Sequence, residues 1–183
     1  MKAVIVGIGV QGKKRKKILG KEFKYSVDKF KDADYKSINQ VPLNEYNTVF
    51  VCVPDKEKLK IVEYCIENKK HILIEKPFLI PNIKTKEYIK KKIKKNKITC
   101  YTAYNHRFEP HFKKMKELIQ SNVLGKIYSC RMFYGNGTAK LVKSSNWRDK
   151  NLGILTDLGS HLLDTCLFFF GKKVKNFKLV SLR

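Results

Sequence analysis

An apolar run, Ala3-Val4-Ile5-Val6, feeds directly into Gly7-Ile8-Gly9-Val10-Gln11-Gly12. The glycines fall where a buried strand must turn sharply into a helix, and each has a steric task. Gly7 permits the tight turn, Gly9 lets the backbone approach a pyrophosphate, and Gly12 lets the helix lie close on the strand. The spacing predicts a helix over Val10 to Leu19 whose first N–H groups, around Val10 and Gln11, point at phosphates. Phe23 to Val27 reads as a second strand ending at Asp28, an acid placed to accept hydrogen bonds from an adenosine ribose. The competing reading is a glycine-rich turn in some other α/β domain, with Asp28 merely closing a strand.

The pattern continues for about the first 105 residues. Thr48 to Val53 is a continuous apolar run of the kind found in parallel strands covered on both faces, and Pro54 ends it. A helical stripe over Lys56 to Asn68 precedes the strand His71 to Ile74, which Glu75-Lys76-Pro77 closes abruptly. Ile83 to Lys95 gives a further amphipathic helix and Ile98 to Ala103 a further strand. Strand–helix alternation of this kind implies a doubly wound parallel sheet with its ligand crevice at the carboxyl ends of the strands. Past Asn105 the pattern changes. Phe108 to Val123 is helical, Ile127 to Tyr134 alternates as a half-buried antiparallel strand would, Leu152 to Phe170 is a long helix ended by Gly171, and Val174 to Leu182 reads as a strand.

Charge is the conspicuous feature of composition. The 183 residues carry 40 Lys+Arg against 16 Asp+Glu, a net +24, yet only five of the basic residues are arginine. Nucleic-acid recognition favours arginine forks interleaved with aromatics, whereas these lysines are spread over the predicted helices, Leu152 to Phe170 excepted. A solvated face is therefore expected and a nucleic-acid partner is not, polyanion binding being the lesser reading. The five cysteines sit singly in apolar segments without metal-ligand spacing, as buried small hydrophobes of a reducing compartment would. No metal site is expected. Met1-Lys2 runs straight into the first strand and the apolar stretch at Leu162 to Phe170 is short and broken by Asp164, so the expectation is a cytoplasmic protein without a signal peptide or membrane span.

Five ordered motifs resemble the N-terminal half of the Gfo/Idh/MocA family of NAD(P)-dependent oxidoreductases. They are Gly7-x-Gly9-x-x-Gly12, Val51-Cys52-Val53-Pro54, Glu75-Lys76-Pro77, Tyr104-Asn105-His106-Arg107-Phe108, and Gly153-x-x-x-Asp157-x-Gly159-x-His161-x-x-Asp164. The resemblance implies a Rossmann dinucleotide-binding domain over 1–105 and, over 106–183, the start of an α+β domain for substrate binding and oligomerisation. Family members continue with more strands of an open antiparallel sheet, and this chain stops inside an early one. The expectation is thus an incomplete second domain, with a homo-oligomer for a full-length form. The resemblance further implies NAD, or NADP, held by Gly7, Gly9, Val10, Gln11, Gly12, Asp28, Val53, Pro54, Glu75 and Lys76, and a sugar, polyol or sugar-derived substrate.

Oxidising a hydroxyl requires removal of its proton and stabilisation of the negative charge that develops on oxygen. His161 is the natural proton acceptor, since imidazole titrates near neutrality. Asp157 shares its helical face and is placed to orient substrate or imidazole, Asp164 to take the other ring nitrogen, and Lys76 to donate to the reacting oxygen. In the family the equivalents of Lys76, Asp157 and His161 form the catalytic group. Gly159, costly inside a helix, suggests close approach of something flat such as a nicotinamide ring. Asn105 and Arg107 are candidates for substrate contact or for a structural tie. Trp147 and Arg148 offer a stacking face and a guanidinium, or simply a packing Trp and a surface Arg. Asp55 and Lys58 stand where the family more often has Asn and His, so backbone contact is expected to replace a side-chain contact with the cofactor there. Lys29 and Lys31 suit a 2′-phosphate, but Asp28 opposes one and favours NAD. A nucleotide-binding protein without turnover is the alternative.

Overall fold

A computed structural model describes residues 1–135, 155–171, 174 and 178. The chain divides into two compact units, Met1–Ala103 and Tyr104–Arg183. Trp147, Arg148, Gly153 and most of the expected strand Val174 to Leu182 lie outside the described residues.

In the first unit the apolar runs form strands β1 (Ala3–Val6), β2 (Phe23–Val27), β3 (Thr48–Val51), β4 (His71–Ile74) and β5 (Cys100–Thr102), all parallel, in the order β2-β1-β3-β4-β5. Helix α1 (Val10–Leu19) links β1 to β2, α2 (Asp55–Glu67) links β3 to β4, and α3 (Ile83–Asn96) links β4 to β5. The chain leaves β1 on one side for β2 and on the other for β3, so the strand order reverses at β1/β3. Open α/β sheets bind ligands at such a reversal, outside the carboxyl ends of the strands. One residue, Tyr35, adds a parallel bridge to Val27 beyond β2.

Strand alternation divides the core between the two faces of the sheet. Val4, Val6, Val49, Val51, Ile72 and Ile74 pack with Val62, Cys65 and Ile66 of α2 and Ile89 of α3. Ala3 and Ile5 pack on the opposite face with Leu19 of α1, joined by Phe50 and Cys52. The first face holds the larger cluster. Ile74 is fully buried there, and Ile74→Ala should lower unfolding free energy by about 2–5 kcal/mol, the range for deleting a buried branched side chain. Urea unfolding would measure it, and a loss below about 1 kcal/mol would mean that this face is not the main core.

In the second unit a 3-10 turn (Asn105–Phe108) leads into α4 (Pro110–Gln120), with Pro110 in the first turn, where its missing N–H costs nothing. A π turn (Leu155–Gly159) leads into α5 (Ser160–Phe170). Two expectations are corrected. Ile127 to Tyr134 forms no strand: its alternation marks one face, but a strand exists only in a ladder, and no partner strand pairs with it among the described residues. The helix expected from Leu152 is, where described, a π turn followed by α5, because Gly159 and the wider turn interrupt regular helix. No helix among the described residues is long and apolar enough to cross a membrane.

Candidate active site

The glycine turn sits at the carboxyl end of β1. Gly7 adopts φ +96°, and a Cβ there would lie 2.6 Å from the Cys52 carbonyl oxygen. A Cβ on Gly12 would lie 1.9 Å from the carbonyl oxygen of Gly7. These two glycines are therefore demanded by the protein itself. Gly9 is different: it has an ordinary extended backbone at the N-cap of α1, and a Cβ there would meet nothing within 4 Å. Space that no protein atom fills, at a helix N-terminus whose first turn lacks acidic residues, suits a diphosphate. Val10 is largely exposed and Gln11 exposed at this end.

Asp28 closes the far side of the turn. Its Oδ2 accepts the Ile8 N–H (2.8 Å), and its Oδ1 accepts the N–H groups of Phe30 (3.0 Å) and Lys31 (2.9 Å). Burial alone would raise this carboxyl, but the N–H bonds from Lys31, Ile8 and Phe30, with the Lys31 charge, outweigh it and hold the group below its ordinary 3.8. The stabilisation it provides is accordingly present above pH 3.8 and lost as pH falls through the depressed value. Lys31 Nζ reaches the Ile8 carbonyl (3.2 Å) and so clamps the turn from outside.

At the ends of β3 and β4, two ion pairs shape the crevice. Arg15 of α1 binds Glu75 through Nε (2.7 Å) and Nη2 (2.6 Å) to one carboxylate oxygen, with both side chains largely buried. The Glu75 N–H donates to the Val51 carbonyl. The Lys76-Pro77 peptide is cis. Lys58, only 3% exposed, donates to Asp55 Oδ1 (2.7 Å) and to the Pro77 carbonyl (2.6 Å). Burial pushes its amine below the ordinary lysine value while Asp55 draws it back up. Val53 is half-buried and Pro54 exposed at the mouth of β3. Sequence reasoning missed these pairings. Arg15 lies in a run of lysines that reads as solvated, and in the sequence Lys58 stands out only as a departure from the family pattern.

The second unit gathers the other titratable groups. His161, 7% exposed at the start of α5, is ringed by Tyr104, His106 and Tyr134 at centroid distances of 5.7, 4.7 and 5.6 Å. Asp157 lies in the π turn, where its carbonyl accepts the Ser160 hydroxyl (3.4 Å). Two expectations are corrected. Asp164 does not serve the imidazole as expected, since both its oxygens are engaged by Arg107, at 2.7 Å from Nε and 2.6 Å from Nη2, an arginine fork being the stronger claim on a carboxylate. Gly159 makes room for Leu155 rather than a cofactor ring, as a Cβ there would meet Leu155 Cδ1 at 2.8 Å. Arg107 thus ties the 3-10 turn to α5, and Asn105 turns its amide to Glu109 (3.2 Å). A cleft of about 600 Å³ between α4 and α5, lined by Lys116, Phe168 and Phe170 among others, opens at the far end of α5 from His161.

A sequence profile described as an oxidoreductase family with an NAD-binding Rossmann fold matches residues 1–104, and one for the GFO/IDH/MocA C-terminal domain matches residues 112–181. Myo-inositol 2-dehydrogenase of Thermotoga maritima is 26% identical over 129 residues, 70% of this chain and 37% of that protein. Glucose-6-phosphate 3-dehydrogenase of Bacillus subtilis is 31% identical over 106 residues, 55% of this chain and 30% of that protein. The chain spans well under half the length of these curated relatives. Among solved structures, a putative NADPH-dependent oxidoreductase from Desulfitobacterium hafniense superposes with a TM-score of 0.77 at 21% identity, over 93% of this chain and 55% of that one. Apo scyllo-inositol dehydrogenase from Lactobacillus casei does so with 0.72 at 19%, over 92% and 54%. These likenesses show the fold.

Proposed function

The chain belongs to the Gfo/Idh/MocA oxidoreductases, with an NAD-binding Rossmann fold, and from that premise we propose that it serves oxidation of a hydroxyl, or reduction of the carbonyl, on a sugar, polyol or sugar derivative. The observation that carries the reading is the open space at Gly9 beside a turn that Gly7, Gly12 and Asp28 hold in place. The dinucleotide bound there supplies the hydride acceptor. The chain's own residues do the rest. Val10, Gln11 and the first turn of α1 bind the diphosphate, Asp28 accepts from ribose hydroxyls with lone pairs left over from its backbone bonds, and Val53, Pro54 and Glu75 line the approach.

Lys76 donates to the reacting oxygen and stabilises charge as it develops. Lys58 acts through the neighbouring backbone: by fixing the Pro77 carbonyl it positions the peptide that carries Lys76. His161 takes the hydroxyl proton, and Asp157 orients the substrate. The substrate class comes from the inositol and glucose derivatives named for the relatives.

NADH and NADPH fluorescence titrations, followed by hydride transfer with myo-inositol, scyllo-inositol, glucose and glucose 6-phosphate, test the proposal. Binding with turnover supports it, binding without turnover leaves the nucleotide-binding alternative, and absence of binding refutes both. Asp28→Ala adds discrimination, because removing a carboxylate that accepts from ribose hydroxyls and repels a 2′-phosphate should weaken NADH about tenfold or more while sparing NADPH. Equal losses would show that Asp28 serves only the turn.

A further inference from the structure

Of the five consecutive cations in α1, Lys13, Lys14, Lys16 and Lys17 are exposed and only Arg15 turns inward. Helical spacing places it there. Gly12 and Leu19, the buried residues of α1, stand three before it and four after it, so Arg15 shares the face that packs on the sheet. From that face it reaches Glu75, which follows β4, two strands away from β1. We propose that Arg15 is a positioning residue: it holds Glu75 to accept the hydroxyls of the dinucleotide's second ribose, the one that carries the nicotinamide. The inference rests on the dinucleotide-binding reading above and deepens it.

The strand order identifies the half of the cofactor concerned. Asp28, at the end of β2, faces the adenosine ribose, and Gly9, beyond β1, leaves room for the diphosphate. A dinucleotide laid across the carboxyl ends of the strands therefore continues over β3 and β4. Glu75 stands at that end, and its N–H donates to the Val51 carbonyl (2.9 Å), which fixes its backbone at the mouth of both strands.

The form of the ion pair points the same way. An arginine fork commonly takes both oxygens of a carboxylate, as Arg107 does with Asp164. Arg15 instead brings Nε (2.7 Å) and Nη2 (2.6 Å) to one oxygen, Oε1. The lone pairs of Oε2 are left to another donor, and a ribose hydroxyl is such a donor. The Glu75 side chain is only 15% exposed, so without Arg15 it would hold an uncompensated charge beside the bound diphosphate. Lys58, a second buried cation at this end of the sheet, is committed to Asp55 and the Pro77 carbonyl. A lysine at position 15 would supply charge but not a rigid plane of donors.

Calorimetric titration of the whole chain with ADP, ADP-ribose and NADH provides the test, because ADP lacks the second ribose and ADP-ribose carries it without the nicotinamide. The double variant Arg15→Met/Glu75→Gln replaces the ion pair with two neutral side chains of similar length. It should bind ADP within about twofold of the parent while ADP-ribose and NADH weaken by about tenfold or more, the scale of one charge-assisted hydrogen bond. Since Arg15 acts through Glu75, adding Arg15→Met to Glu75→Gln should weaken ADP-ribose by less than about twofold further. Arg15→Lys guards against a folding defect: it keeps the charge, and should lower affinity for ADP-ribose while ADP binding and the thermal midpoint stay at parent values. Equal losses for ADP and ADP-ribose, no loss for either, or single-variant losses that multiply in the double variant each overturn the proposal. A parent that binds all three nucleotides yet oxidises no polyol defeats the hydroxyl-oxidising reading alone. A parent that binds none defeats the dinucleotide reading and this inference with it.

Discussion

Gly9→Val should remove dinucleotide binding while leaving the fold almost untouched, and Gly12→Ala should do the reverse in order of cause, unfolding the turn first. The contrast follows from where each new Cβ would lie. At Gly9 it enters open space on an ordinary backbone, so the fold loses only the difference between glycine and valine at an N-cap, about 1 kcal/mol or less. A diphosphate needs that space. Losing two charge-assisted bonds of about 1.5–3 kcal/mol each weakens binding by roughly 10² to 10⁴. At Gly12 the Cβ meets the Gly7 carbonyl oxygen at 1.9 Å, and β1 and α1 must separate, at a cost on the order of 3 kcal/mol. NADH fluorescence titration and thermal unfolding, run on both variants, separate the effects. Undiminished NADH binding by Gly9→Val would place the nucleotide elsewhere.

The second large effect concerns turnover. Lys76→Met and His161→Gln should each lower the hydride-transfer rate by about 10² to 10⁴, the range for general acid–base and electrostatic contributions, with NADH affinity nearly unchanged. Both replacements keep much of the original side-chain bulk. A variant that retains the parent rate has lost nothing the reaction needs, and its residue would then be structural.

The first unit was legible because parallel strands buried on both faces read as continuous apolar runs: Ala3–Val6, Thr48–Val51 and His71–Ile74 stand out against lysine-rich helices. The glycine turn was legible because its steric demands are local. Ile127 to Tyr134 misled for the opposite reason, since alternation describes one strand while stability depends on another. Asp164 misled similarly. Its position relative to His161 was readable, but its competition for Arg107, far back in the chain, was not. Lys58 shows the same limit in chemical form. Among so many solvated lysines, only tertiary structure reveals that one is buried against a backbone carbonyl. The His106–Glu109 pair is the exception that closer reading could have found, because three-residue spacing sets side chains together on a helical turn.

The single-residue bridge at Tyr35 has a consequence for how this molecule behaves in a crowd. An edge strand normally offers free N–H and C=O groups on which another chain can add a strand. Around Ser26, at the carboxyl end of β2, that offer is withdrawn. The Tyr35 N–H donates to the Ser26 carbonyl, the Asp28 N–H donates to the Tyr35 carbonyl, and the Ser26 N–H donates to the Asp34 carboxylate. The Ser26 hydroxyl and N–H hold the Asp34 carboxyl below its ordinary value, so this charged plug stays in place at neutral pH. What would be the sixth strand of a larger sheet survives as one residue, enough to blunt the edge against templated aggregation and too short to serve as a template itself.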